Sequence, residues 1–174
     1  MHVAVAGTYC SGKTTLVSDL ANHFTLTATV ADECRPILDV FGRVDWTSHE
    51  LRTYLFVRQI LVERFAGSHS DLTFIDGGVI NNLAHDRILM TTPPARGESL
   101  GSLATHRYDL VLVTDPTDVA IADDGQRYTD PVMRTALHEM VLEVARDLGY
   151  RPTLVSGTRE QRIATAKRAM VDGR

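Results

Sequence analysis

The sequence predicts an α/β fold of three layers, a five-stranded parallel sheet with helices on both faces. Three observations carry this. Short apolar runs rich in β-branched residues recur along the chain, separated by longer stretches whose apolar residues fall at helical spacing. Strands that alternate with helices pair in parallel, because the helix supplies the crossover. The first and third runs also end in characteristic turns: Gly7-Thr8-Tyr9-Cys10-Ser11-Gly12-Lys13-Thr14 after the first, and Asp76-Gly77-Gly78 after the third.

Residues 2–6 (HVAVA) are the first strand, and residues 15–24 the first helix, with Leu16, Val17, Leu20, Ala21 and Phe24 on one face. The turn between them reads G-x-x-x-x-G-K-T, the phosphate-binding P-loop. Gly7 and Gly12 permit backbone angles and close approach that side chains obstruct. The loop amides and the start of the helix face a polyphosphate, which the helix dipole also favours. Gly7, Ser11, Gly12, Lys13, Thr14 and Thr15 are therefore candidate contacts to ATP. Lys13 is the mobile cation for the β- and γ-phosphates, and the Thr14 hydroxyl is placed to ligand Mg²⁺.

A second strand over 28–31 ends at Asp32-Glu33-Cys34-Arg35-Pro36. Acids at the carboxyl end of a strand in an open α/β sheet lie on the ligand-binding edge. Glu33 could accept the proton of an attacking hydroxyl, and Arg35 could bind a phosphate or fix Glu33. Residues 37–46 read as irregular. Thr47 with Glu50 gives a helix start, and Leu51, Tyr54, Leu55, Arg58, Leu61, Val62 and Phe65 follow on a face expected to be mostly core. Arg58 interrupts that face, with Gln59 and Trp46 nearby, and is a candidate for the acceptor pocket. Trp46 or Tyr54 could stack on a base.

The third strand, 72–76, ends in Asp76, the form expected of a Walker B carboxylate that holds Mg²⁺. Gly77 and Gly78 turn the chain into a helix over 79–90. Residues 91–106 are loop-rich and followed by Arg107. The fourth strand is stopped by Pro116. A polar excursion over 122–134 reads as a lid, with Asp130 as helix cap and Pro131 at the first helical position. Arg127 and Arg134 bracket that cap and are candidates to stabilise the phosphoryl transition state. A helix over 132–148, a fifth strand at 153–157 and a last helix after Thr158 complete the chain. Arg159, Arg162, Lys167 and Arg168 are expected on a solvated face of that last helix.

Composition bounds the function. The 174 residues are expected to form a single domain, 1–174, with 44% hydrophobic and 23% charged residues. A net charge of −4 with only Lys13 and Lys167 as lysines disfavours long nucleic acid as a partner. No apolar run approaches the ~20 residues of a membrane span, and no signal peptide is expected ahead of the first strand. Two cysteines make no disulfide framework, so a reduced, cytoplasmic setting is expected. A GTPase would need a guanine-reading N-K-x-D segment, and none is present. A mechanical ATPase would normally show a second acid after Asp76, where Gly77 stands. A kinase of a small nucleoside or nucleotide acceptor remains, beside a nucleotide-binding regulatory module and a kinase of a modified base in phage DNA. A homodimer is left open.

The motifs taken together resemble a P-loop kinase family that includes ribosylnicotinamide kinase domains and, more distantly, deoxynucleoside and thymidylate kinases. The resemblance rests on GTYCSGKTTL at 7–16, ECR at 33–35, FID at 74–76, DGQRYTDPVMR at 124–134 and LVSGTREQR at 154–162. It implies the P-loop NTPase fold with strand order 2-3-1-4-5, Glu33 near the acceptor hydroxyl, and the lid around 122–134. One position departs from the pattern. Deoxynucleoside and thymidylate kinases usually carry arginine beside the strand-three aspartate, and here Gly77 does, so that contact would come from elsewhere, such as Arg58 or Arg87.

Overall fold

Five strands run parallel in the order β2-β3-β1-β4-β5. They are β1 (His2–Ala6), β2 (Thr27–Val30), β3 (Leu72–Asp76), β4 (Leu110–Thr114) and β5 (Thr153–Val155). The computed structural model describes residues 1–25, 27–42, 44–90, 108–121 and 130–172, with Arg35 described by its backbone alone. The sheet order is the one the resemblance implies, and the P-loop leaves its central strand.

Alternation along the strands builds two cores. Val3, Val5, Phe74, Leu110 and Leu112 face helices α1 (Lys13–His23) and α6 (Arg159–Asp172), through Leu16, Val17, Leu20, Ala166 and Met170. Ala4, Ala6, Ile75, Val111 and Val113 point the other way. That face is covered by α3 (His49–His69), α4 (Gly78–Leu89) and α5 (Pro131–Asp147), through Phe56, Ile80, Leu83, Leu137, Val141 and Val144. A sheet covered on both faces needs apolar side chains in both directions, which is why these strands read as continuous runs.

Two elements differ from expectation. The stretch expected to be irregular contains a helix, α2 (Cys34–Phe41). Pro36 is compatible with it, because a proline in the first turn gives up an N–H that has no intrahelical partner. Asp32 Oδ1 accepts the Cys34 N–H at 3.0 Å, and Gly42, at φ 70, ends the helix by donating to Leu38 O at 2.8 Å. Helix α3 starts one residue later than expected. Its cap is Ser48, which accepts the Leu51 N–H at 3.3 Å, while Thr47 is engaged by Asp45.

The buried side of α3 is a correction as well. Tyr54, Leu61 and Phe65, expected in the core, are 52%, 61% and 69% exposed. The side that packs inward carries Arg52, Leu55, Phe56, Gln59 and Glu63. Those polar groups are buried because each has partners. Arg52 pairs with Asp86 and donates to Asn82 O at 2.7 Å. Gln59 donates to Glu63 Oε1 at 2.7 Å, and Tyr108 donates to Glu63 Oε2 at 2.9 Å while accepting the Val79 N–H at 2.9 Å. Apolar periodicity alone could not show that a neighbouring helix offered a carboxylate and the segment before β4 a tyrosine.

Helices α1 and α6 are joined by Asp19 and Arg159, at 2.7 and 2.5 Å. Hydrogen bonding from Arg159 holds the Asp19 carboxyl below its ordinary range, against the opposing effect of burial. The folded value thus lies below the unfolded one. The pair's contribution is complete above about pH 4 and is lost as pH falls through the depressed folded value. Between pH 6 and 3 the melting temperature of wild type is expected to fall more steeply than that of Asp19→Asn. Parallel curves would show that the pair contributes no pH-dependent stability.

Candidate active site

The P-loop is held from several sides. Gly7 sits at φ 150, and a Cβ there would stand 2.3 Å from Thr114 Oγ1 and 2.9 Å from Ser11 Oγ, so no larger residue fits. The Ser11 hydroxyl bonds Thr8 O at 2.7 Å and the Thr114 hydroxyl at 2.6 Å. Asn81 on α4, not singled out from the sequence, grips both polar groups of Gly7. Its Oδ1 accepts the Gly7 N–H at 3.0 Å and its Nδ2 donates to Gly7 O at 2.7 Å. A lone asparagine one turn into a helix carries no motif signal.

Lys13 Nζ donates to Thr8 O at 2.8 Å, folded back along the loop. Thr14 Oγ1 donates to Asp76 Oδ2 at 2.5 Å. Asp76 is buried, and among the described residues its Oδ1 has no hydrogen-bond partner. Burial raises its carboxyl above the ordinary range, with Lys13 acting in the opposite direction. A hydroxyl, a carboxylate with one unsatisfied oxygen and an adjoining phosphate loop form a donor set that fits Mg²⁺, which takes few protein ligands and completes its shell with phosphates and water.

One cavity of about 430 Å³, the chamber described next, is lined on one side by this loop. The chamber walls include Asp32, Trp46, Arg52, Gln59, Asn82 and His85. His85 Nδ1 is 2.7 Å from Asn81 O. A carbonyl only accepts, so Nδ1 carries the proton and Nε2 keeps a lone pair. Burial, aided by the Arg52 charge, lowers the His85 pKa to about 4, so the ring is neutral at pH 7. Burial, then the Asp32 charge, pushes the Cys34 thiol well up, and it lines the wall as a neutral group.

The expected acceptor-side residues are redistributed. Glu33 pairs with Arg58 and borders a shallow groove formed by Thr29, Val30, Leu61 and Phe65, away from the P-loop. Its neighbour Asp32 is the acid that lines the cavity. Sequence could not choose between adjacent acids, because a one-residue step past the strand decides which way each points. Arg58 is held at that outer groove, and Arg87 pairs with Glu143 and Asp147 of α5 at 3.3 and 2.6 Å. Neither lines the cavity; Arg52 does. Arg134 does not line it either. It donates to Tyr9 O, Cys10 O and Val119 O at 3.3, 2.8 and 2.7 Å, bracing the loop. Arg127, Arg96 and Arg107 lie outside the described residues, as do 122–129 of the expected lid; the side chain of Arg35 is likewise undescribed.

A family profile described as an AAA domain matches residues 2–162. The chain belongs to this family. A comparison with curated protein sequences gives no match. Among solved structures, this AAA domain is similar to a NadR protein in complex with NR, at 22% identity and TM-score 0.77, over 98% of this chain and 50% of that one. It is also similar to thymidylate kinase from Candida albicans, at 14% identity and TM-score 0.68, over 98% and 90% of the two chains. A third likeness is to deoxyadenosine kinase from M. mycoides with dCMP and a flexible dCDP bound, at 10% identity and TM-score 0.66, over 99% and 100%. The chain thus spans about half the length of the NadR protein. The AAA domain shares its fold with these proteins, as the sequence motifs suggested.

Proposed function

We propose that this chain is an ATP-dependent kinase that transfers the γ-phosphate to a hydroxyl of a nucleoside-like small molecule, within one domain over 1–174 whose lid is 122–134. The observation that carries the reading is a cavity lined both by the P-loop and, beyond it, by Asp32, Trp46, Arg52 and Gln59. A donor site and an acceptor site in line are what phosphoryl transfer needs, since catalysis is mainly positioning and charge stabilisation. Lys13 holds the β- and γ-phosphates. Thr14 and Asp76 hold Mg²⁺, which supplies positive charge to the phosphate oxygens when bound. Asp32 takes the role expected of Glu33 and accepts the hydroxyl proton. Arg127 keeps its proposed lid role, and Arg134 acts by holding the loop.

The lining also supports a choice of acceptor. Among the described residues of the chamber, the cation Arg52 is already paired with Asp86, His85 is neutral and Asp32 is an acid. That suits an uncharged nucleoside better than a nucleoside monophosphate, whose charge needs cations of its own. Trp46 offers a face for a ring, and Gln59 and Asn82 offer hydrogen bonds for its edge. The test is ADP release with ATP and Mg²⁺ across nucleosides, nucleoside monophosphates and ribosylnicotinamide. Stimulation by nucleosides supports the reading. ADP formation indifferent to every acceptor counts against it.

Neither cysteine forms a disulfide, and no described helix is long and apolar enough to cross a membrane; a cytoplasmic setting is our reading. A homodimer fits the exposed row of Tyr54, Val57, Leu61 and Phe65 on α3. Light scattering at micromolar concentration is expected to give a dimer that Leu61→Glu converts to monomer. A monomeric wild type would remove the homodimer.

A further inference from the structure

Arg162 was expected on a solvated face of the last helix; it is instead buried, with 6% of its surface exposed. Its guanidinium reaches three separate segments. Nε donates to Gly157 O at 2.9 Å, Nη1 to Ser11 O at 2.8 Å and Nη2 to Asp115 O at 2.8 Å. All three acceptors are neutral carbonyls. Among the described residues no carboxylate forms an ion pair with it; the Asp115 carboxylate is hydrogen-bonded by the N–H and hydroxyl of Thr117 at 2.9 and 2.7 Å and feels the Arg162 charge only as the last of several influences. A buried cation whose hydrogen bonds all go to neutral carbonyls costs stability, and a fold that needed only to tie three loops together could use a neutral donor. An anion bound beside it would offset that cost.

The position of the charge points to that ligand. Arg162 Nη1 lies 3.5 Å from where a Cβ on Gly12 would stand, directly against the residue before Lys13. In a trans peptide the C=O and N–H groups point in opposite directions. Holding the Ser11 carbonyl therefore turns the Gly12 N–H away from Arg162. Arg134 does the same at the two preceding carbonyls, Tyr9 O and Cys10 O. Consecutive loop amides are thus oriented by guanidinium groups bound to the carbonyl side.

We propose that Arg162 is a positioning residue of the triphosphate site: it orients the Gly12 amide and places a fixed positive charge behind the P-loop that a bound polyphosphate neutralises. The inference rests on the reading of the loop as a nucleotide site, and it adds a residue that does not touch the ligand. A charge effect grows with the number of phosphates on the ligand, whereas loss of a merely structural tie affects all nucleotides alike.

The experiment is calorimetric binding of AMP, ADP and ATP to wild type, Arg162→Gln and Arg162→Lys, with Lys13→Ala alongside. Arg162→Gln keeps a neutral donor and is expected to weaken ATP on the order of tenfold or more, ADP less and AMP least. Arg162→Lys keeps the charge and is expected to show a small loss, even across the three. An even loss in Arg162→Gln, or none, overturns the proposal. If Arg162→Gln does not fold, Arg162→Lys decides by the size of its effect on ATP: a loss below about fivefold supports the proposal, because the charge is kept while the three-way hydrogen bonding is lost, and a larger loss overturns it. A wild type that binds no nucleotide ends both readings. A Lys13→Ala protein that loses ATP beside an Arg162→Gln protein with an even loss ends this inference alone.

Discussion

Lys13→Ala is expected to lower phosphoryl transfer by about 10²–10³-fold and to weaken ATP binding at the same time. The Lys13 ammonium rests on Thr8 O at 2.8 Å, within the loop that lines the cavity. Its removal leaves the phosphates without their mobile counter-ion in a partly desolvated site, where a charge-assisted hydrogen bond counts for more than in water. Both effects should appear together, because the lysine contacts phosphate in the ground state and follows the transferring group. Thermal shift with ATP and Mg²⁺, together with steady-state ADP release, measures them. A mutant with the wild-type nucleotide-dependent shift and rate would mean that the loop is not the donor site.

The second large effect separates two adjacent acids. Asp32→Asn keeps the shape of the side chain, and its Oδ1 can still accept the Cys34 N–H that starts α2. What it loses is the capacity to take a proton. Transfer to the acceptor is expected to fall by about 10²–10⁴-fold, with ATP affinity retained. Glu33→Gln is expected to leave transfer nearly intact, because Glu33 is committed to Arg58 beside a different groove. The discriminating readout is kcat, since removal of a general base spares ground-state binding. If Glu33→Gln abolishes transfer and Asp32→Asn does not, the roles assigned to the two residues are reversed.

How far the sequence reaches depends on what kind of information a feature needs. The strand runs and the loop Gly7-Thr8-Tyr9-Cys10-Ser11-Gly12-Lys13-Thr14 are local, and the strand–loop–helix order found in the structure is the one read from the residues. The contact between Thr14 and Asp76 joins residues far apart in sequence, yet it was legible because each closes its own motif. The inward side of α3 was not legible. Arg52 and Glu63 are buried only because Asp86, Asn82 and Tyr108 on other elements satisfy them. Arg162 was misjudged for a related reason: its partners are backbone carbonyls, which have no sequence signature. The choice between Asp32 and Glu33 turned on the direction of the chain beyond β2.

The double hydrogen bond between Asn81 and Gly7 has a consequence for how the molecule opens. The Gly7 amide proton is covered by a side chain of α4, so its exchange with solvent is expected only when that helix lifts from the sheet. The entrance of the phosphate loop and the helix after Asp76 are thereby joined in one cooperative unit, and the loop is no freer to fray than the helix that holds it.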